Sequence, residues 1–391
     1  MAKKLADNKK SAAEREPAAG AIIPVQTRSD RPKSTKVSDF PELSTDLPDW
    51  KLSPVSQLRS MSEDALEGSA YDASHETIDG FHLGWKPVSD IVRGEVGLPD
   101  NRLGARAWSE VKEVLNIEIE GFHDEPLYLT RKNLGNSSRA SHILIRVRSS
   151  ARAVMVLESR GQAKLFENVE ILVEEGADFQ LITLQDWSLG SAHVAFHYSK
   201  ILSEAKFSHI SISLGGDLVI VNPSSELSGS GAQANLFGAY FADQNQHLEH
   251  RVFVHHVAPQ TRSRVNYKGA LSGAGARTVW IGDVLIGSEA VGTDSYEQNR
   301  NLVLSEGTRA DSIPNLEIKT GDIAGAGHAS ATARFDDEQL FYLQSRGIGP
   351  EDARKLVVMG FLMEIISKIS DQNLAARLRK QIHEKMIKAE G

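Results

Sequence analysis

The sequence contains no cysteine. That removes disulfides, thiolate catalysis and thiolate-bound metal from the chain itself. It also argues against a secreted, disulfide-stapled framework. No run of about 18 apolar residues occurs, so no transmembrane helix is expected. The first residues lack an apolar core and a small-residue cleavage site, so they do not read as a signal peptide. A cytoplasmic protein is the expectation. Basic residues are outnumbered, 44 Lys and Arg against 52 Asp and Glu, a net charge of −8. This argues against a general nucleic-acid binder, which carries a basic face. The GxxxxGK(S/T) loop, a GxGxxG turn between strand and helix, and a GxSxG elbow are all missing. His193 and His197 stand four apart on a strand-like run, but the rest of a cupin metal motif is absent. The chain does not read as a nucleotide hydrolase by itself.

What is present is a strand rhythm. From about Val111 the apolar period is two, in segments such as VLNIEIEGF, SHILIRVRS, VEILVEE, DFQLITLQDW, FSHISISLG, DLVIVNP and RVFVHHVA. They recur for over two hundred residues, more strands than the roughly ten an open sheet tolerates. Short, regularly spaced strands without Asn-Gly hairpin turns favour a β-solenoid over a sandwich or barrel. β-Branched and aromatic residues at alternate positions suit a stacked core. Gly176, Gly190, Gly215, Gly216, Gly229, Gly231, Gly238 and Gly282 are expected at corners. No strict hexapeptide repeat is visible, so the coils must be irregular.

The 391 residues divide by pattern. Residues 1–49 hold five of the thirteen prolines and show no periodicity, as expected of a flexible tail. Residues 50–110 read as a small helical or mixed domain. There Ser53 and Pro54 suit an N-cap and N1 pair, and Gly68 suits a helix stop. Trp85, Val88, Ile91 and Val92 form a weak helical stripe, and Trp85 and Trp108 read as packing residues. Residues 111–335 form the β-solenoid. Residues 336–391 are helical. Asp336 or Asp337 can cap DEQLFYLQSRG, and Gly347 fits its left-handed C-terminal position. Pro350 begins a second helix, whose apolar residues Leu356, Val357, Met359, Phe361, Leu362, Ile365, Ile366 and Ile369 exceed a single buried stripe. Such a helix packs on two sides or meets a partner. LAARLRKQIHEKMIKA is basic, amphipathic and suited to the surface.

Two constellations carry potential chemistry. His328 stands at the joint between strands and helices, among Gly325, Ala326, Gly327, Ala329, Ser330 and Ala331. Small neighbours allow another backbone to approach closely, which suggests an interface. The stretch DQNQHLEHRVFVHH offers His247, Glu249, His250, His255 and His256, residue types that suit zinc or iron. Strand alternation, however, sends His255 and His256 to opposite faces, and likewise His247 and His250. Asp243 and Glu249 are the carboxylate pair required by an alternative, a β-solenoid enzyme acting on a polymeric carbohydrate.

Four segments resemble the SufB/SufD family of iron–sulfur cluster assembly proteins, and SufD more than SufB. They are DQNQHLEHRVFVHHVAPQTRS, NYKGALSGAGARTVWIG, QNRNLVLSEGTRADSIPNLEI and GHASATARFDDEQLFYLQSRGI. The resemblance implies a right-handed parallel β-helix between helical terminal domains, in a protein that is not itself an enzyme. It implies a SufB-like cysteine-bearing paralogue and a SufC-like ABC-type ATPase as partners, with no nucleic acid and no membrane. The ATPase, which binds ATP, would meet the C-terminal helices, where Leu340, Phe341, Leu356, Phe361 and Ile365 are the candidates. The chain would bind no cofactor alone but share a nascent iron–sulfur cluster with its partner. His328 matches the family's interface histidine, whereas the family's cysteine position falls on Ala326. Clusters need mostly cysteine ligands, with histidine an occasional substitute, so the partner would supply the thiolates. His247, His250, His255 and His256 are a possible route for iron.

Overall fold

The computed structural model describes residue 28 and residues 31–334 and 337–390, without the side chains of 337–339 and 388–390. Its centre is a pair of nine-stranded sheets between which the chain alternates. Between the ends, each strand pairs in parallel with the strand one turn earlier and one turn later. In the first sheet the rungs run Lys164 to Ala192, Ala192 to Leu218, Leu218 to His247, His247 to Arg277 and Arg277 to Arg309. Ladder partners are 26 residues apart at Ser199 and Ser225 but 32 apart at Ser263 and Ser295. The expected irregular parallel solenoid is therefore the fold.

Alternation decides what fills it. Inward side chains such as Leu165, Leu181, Phe207, Val219, Leu236, Leu248 and Val265 are buried between the sheets. Each stabilises the fold by roughly 1.5–3 kcal/mol relative to exposure. Gly190 and Gly216 turn corners at φ +82° and +87°, where a side chain is disfavoured. Gly238 and Gly282 are not corners as expected but lie inside the strands Gln233–Ala242 and Arg277–Ile286. A side chain at Gly238 would collide with the ring of Tyr267, and one at Gly282 with Trp280 and Glu297. The sequence spacing could not reveal these contacts, because the colliding groups come from other positions in the core.

Helices clothe opposite faces. Helices α1 (Val55–Glu63) and α2 (Arg102–Glu110) pack on the outer face of the first sheet, through Leu58 and Leu103 against Phe166, Val194, Phe196 and Ile220. Asn101 caps α2, its Oδ1 accepting the Gly104 N–H at 3.0 Å. Ser53 does not cap α1; its hydroxyl donates to Glu249, and the helix ends at Glu63, before Gly68. The stripe around Trp85 is not one helix; only Val88–Asp90 makes a single 3-10 turn. Trp85 belongs to the strand Phe81–Pro87, drawn there by antiparallel pairing with Glu113–Ile119. Of the expected tail, residues 1–27, 29 and 30 lie outside the described residues. Residues 31–49 fold onto this end, with Phe40 and Leu43 buried.

At the other end of the chain, α3 (Asp337–Ser345) is followed by Gly347 at φ +87°, and Pro350 begins α4 (Pro350–Ile366). The cap expected at Asp336, and the Asp337 side chain, lie outside the described residues. Helix α4 and α5 (Gln372–Glu390) bury Leu362, Ile365, Ile366, Leu378 and Ile382 against Val156, Ile182, Ile210, Ile212 and Phe241 of the second sheet. They line a face of the solenoid, and neither helix covers its end. The two ends therefore differ. Antiparallel strands Ala73–His75 and Phe81–Pro87 close the first end. The second ends on Arg309–Ile318 and Ile323–Arg334, the last strands of the two sheets.

A candidate cluster-site interface at the open end

Ile323–Arg334 pairs on one side with Thr293–Val303, which places His328 directly opposite Glu297. Ala326 packs against the solenoid core, and by alternation His328 faces the same way. The imidazole is 44% exposed and the carboxylate 0%, with Nδ1 3.9 Å from Glu297 Oε1. That is too long for a hydrogen bond. Among the described residues no side chain bonds either Glu297 oxygen, and only the Asn315 backbone N–H acts on the carboxyl. Burial, with repulsion from Asp283, pushes the Glu297 carboxyl up to about 8. The surrounding strand ends are uncovered, leaving Tyr296, Ile313 and Ile318 exposed. A terminal strand with unpaired backbone groups is a template for another chain.

The second histidine group is dispersed as alternation requires. His247 lies on the outer face, where its Nε2 is 2.9 Å from Glu249 Oε2. Glu249 also pairs with Arg251 and accepts from Ser53 at 2.9 Å. Although burial opposes it, Arg251 and His247 hold this carboxyl down at about 2. Glu249 is thus a buried structural anion and forms no cleft pair with Asp243, which serves a turn. His250 and His256 point inward, bonded to Ser213 at 3.0 Å and to Thr261 and Ser263 at 2.7 and 2.9 Å. His255 stacks beside Phe253. Among the described residues, no group of three or more His, Cys, Asp or Glu is placed to hold a metal ion.

Inside the solenoid a polar network went unread in the sequence. Arg131 forks onto Glu167, with Nη2 2.9 Å from Oε2, and His193 Nε2 lies 3.2 Å from the same oxygen. His193 Nδ1 meets Gln185 Oε1 at 2.8 Å. Burial alone would raise the Glu167 carboxyl, but Arg131 holds it well below the usual carboxylate range. His197 and His209 face each other at 5.2 Å, and burial keeps both neutral. Polar residues at every second position, as in Ser295, Glu297, Asn299 and Asn301, were the available signal. All four are buried.

The candidate partner surface divides. Phe341 and Leu356 are exposed, at 73% and 52%, as is Tyr342 at 58%. Phe361 is half-buried beneath Lys268, whose Nζ lies 4.5 Å from its ring centroid. Leu340 is buried, and Ile365 is completely so, facing the second sheet. Ile365 is therefore corrected from a partner contact to a core residue: its turn of α4 faces the solenoid.

Residues 129–361 match the family described as SUF system FeS cluster assembly, SufBD core domain. The iron–sulfur cluster assembly SufBD family protein Mb1497 of Mycobacterium bovis is 41% identical over 351 residues, covering 86% of this chain and 87% of its own. A second SufBD family protein of that species, Mb1496, is 29% identical over 223 residues, 57% of this chain and 26% of its own. The iron–sulfur cluster assembly protein SufD of Escherichia coli is 30% identical over 336 residues, 83% of this chain and 76% of its own. Among the described residues no helix is long and apolar enough to cross a membrane. The chain belongs to the SufB/SufD family of iron–sulfur cluster assembly proteins and within it is most like SufD.

Proposed function

We propose that this chain is a non-catalytic scaffold subunit of a SufBCD-type complex that assembles iron–sulfur clusters and transfers them to apo-proteins. The observation that carries this reading is the open solenoid end with His328 half exposed upon it, in a chain without cysteine. One imidazole cannot hold a cluster, which needs mostly thiolates. A cysteine-bearing paralogue docked on the terminal strands supplies them, and the cluster forms between the two chains. The presence of two SufBD family proteins in one species supports a paired arrangement. The exposed Phe341, Tyr342 and Leu356 offer apolar contacts to an ABC-type ATPase, whose ATP-driven movement would open and close the interface. His250 and His256 are sealed in the core, so iron reaches the site from the open end and not along those side chains.

The test is His328→Ala in the complex formed with the paralogue and the ATPase. Cluster formation, followed by visible absorption, is expected to fall at least tenfold while the three proteins still co-purify. Undiminished cluster formation would remove the ligand role. Isolation of the chain with neither partner from native extract would remove the scaffold role.

A further inference from the structure

We propose that Glu297 is the second donor of this chain at the open end, and that Glu297 and His328 together take one divalent cation, ferrous iron as cargo. The inference rests on the reading of His328 as part of a cluster site.

Three observations carry it. The first is an orphan. Glu297 is 0% exposed, and among the described residues no side chain bonds either oxygen; the Asn315 backbone N–H is its one polar neighbour of that kind. A buried carboxyl that no side chain bonds is unusual and needs an explanation. The carboxylates elsewhere in this core are not left so: Glu167 has Arg131 and His193, and Glu249 has Arg251, His247 and Ser53.

The second is the gap. A first-row divalent ion takes imidazole nitrogen at about 2.0–2.1 Å and carboxylate oxygen at about 2.0–2.2 Å. Two donors on opposite sides of one ion therefore stand at most about 4.3 Å apart, and closer when the angle between them is smaller. Nδ1 and Oε1 are 3.9 Å apart, beyond a hydrogen bond and within that span. The ladder sets this distance, because the two residues are direct partners.

The third is the cradle. Gly282 leaves the space into which the Glu297 carboxylate and the Trp280 ring fit, and any side chain there would strike both. Trp280 Nε1 is itself buried without a partner. The carboxylate is thus held under the exposed imidazole. It offers hard oxygen to iron before sulfide and thiolate arrive.

Cobalt(II), titrated without oxygen into the complex of this chain with its cysteine-bearing paralogue and ATPase, serves as the probe. Its visible bands report the donor set independently of cluster synthesis. Glu297→Gln keeps the shape of the side chain and replaces the carboxyl by an amide that cannot ionise to bind a cation. The expected result is cobalt affinity at least tenfold weaker in both Glu297→Gln and His328→Ala, with altered bands and unchanged thermal melts. If His328→Ala weakens binding and Glu297→Gln binds like the wild type, the inference is overturned and the reading of His328 stands. If both variants bind like the wild type, both fall.

Discussion

Glu297 lies across one rung from His328, with Oε1 3.9 Å from Nδ1, and the two differ sharply in access to solvent. The imidazole is half exposed at the end of the solenoid, whereas the carboxylate is sealed beneath it. A docking chain can therefore touch His328 directly and reach Glu297 only past it. Among the described residues no helix caps this end, because α4 and α5 pack on a face of the second sheet.

Acid should destabilise the protein steeply. Burial pushes His197 down to about 4, and His250 and His256 down to about 3, from an ordinary 6.5. A histidine held neutral in the fold but free to protonate when unfolded contributes stability above its unfolded value. That stability is lost as pH falls from there toward the folded value. Each such group can cost about 1.4 kcal/mol per pH unit in this window. The three together imply a loss of roughly 3 kcal/mol between about pH 6.5 and about pH 5.5. Urea midpoints measured across that range should fall; a flat profile would contradict the burial of these rings.

Two glycines should respond in opposite directions to alanine. A side chain at Gly269 would run into the ring of Tyr240 from the neighbouring rung. Gly269→Ala is expected to destabilise by about 1–3 kcal/mol through overpacking. Gly360 lies within α4 and has open space around it. Gly360→Ala should stabilise by about 0.5–1 kcal/mol. Thermal melts of the two variants decide this, and equal shifts would speak against the packing described.

Helix α4 should separate binding from folding. Leu356→Ser, at an exposed position, is expected to weaken capture of the ATPase at least tenfold and leave the melt unchanged. Ile365→Ala should instead cost about 2–5 kcal/mol, because it leaves a cavity beneath the helix. Retained capture by the Leu356 variant would place the ATPase elsewhere.

The internal ion pair should be intolerant of single changes. Arg131 and Glu167 are both sealed from solvent and bonded to each other. Arg131→Met leaves a buried anion and should destabilise by about 3–5 kcal/mol. The double variant Arg131→Met with Glu167→Gln should recover much of that loss, since no uncompensated charge remains. Equal stability of the single and double variants in denaturant titrations would show that the pair is not coupled.

Much of the fold was legible from local pattern. Period-two segments announced the strands from Val111 onward, and Gly347 and Pro350 marked the helix boundary near the C-terminus. Alternation alone separated His247 from His250 and His255 from His256, as the structure confirms. The change from strand period to helical period placed His328 at the joint, and the family segments matched it to the interface histidine. These features depend on consecutive residues, so the sequence determined them by itself.

The tertiary structure decided what meets across the turns. Ladder partners come from residues 26 to 32 positions apart, at no constant spacing, so the register was not readable. That register alone puts Glu297 behind His328, Gly282 under the carboxylate and Tyr240 against Gly269. It also decided which side of α4 is covered, burying Ile365 and leaving Leu356 in solvent. The physical reason is that periodicity is written along the chain, whereas close packing depends on the shapes of neighbours that the chain brings back one turn later.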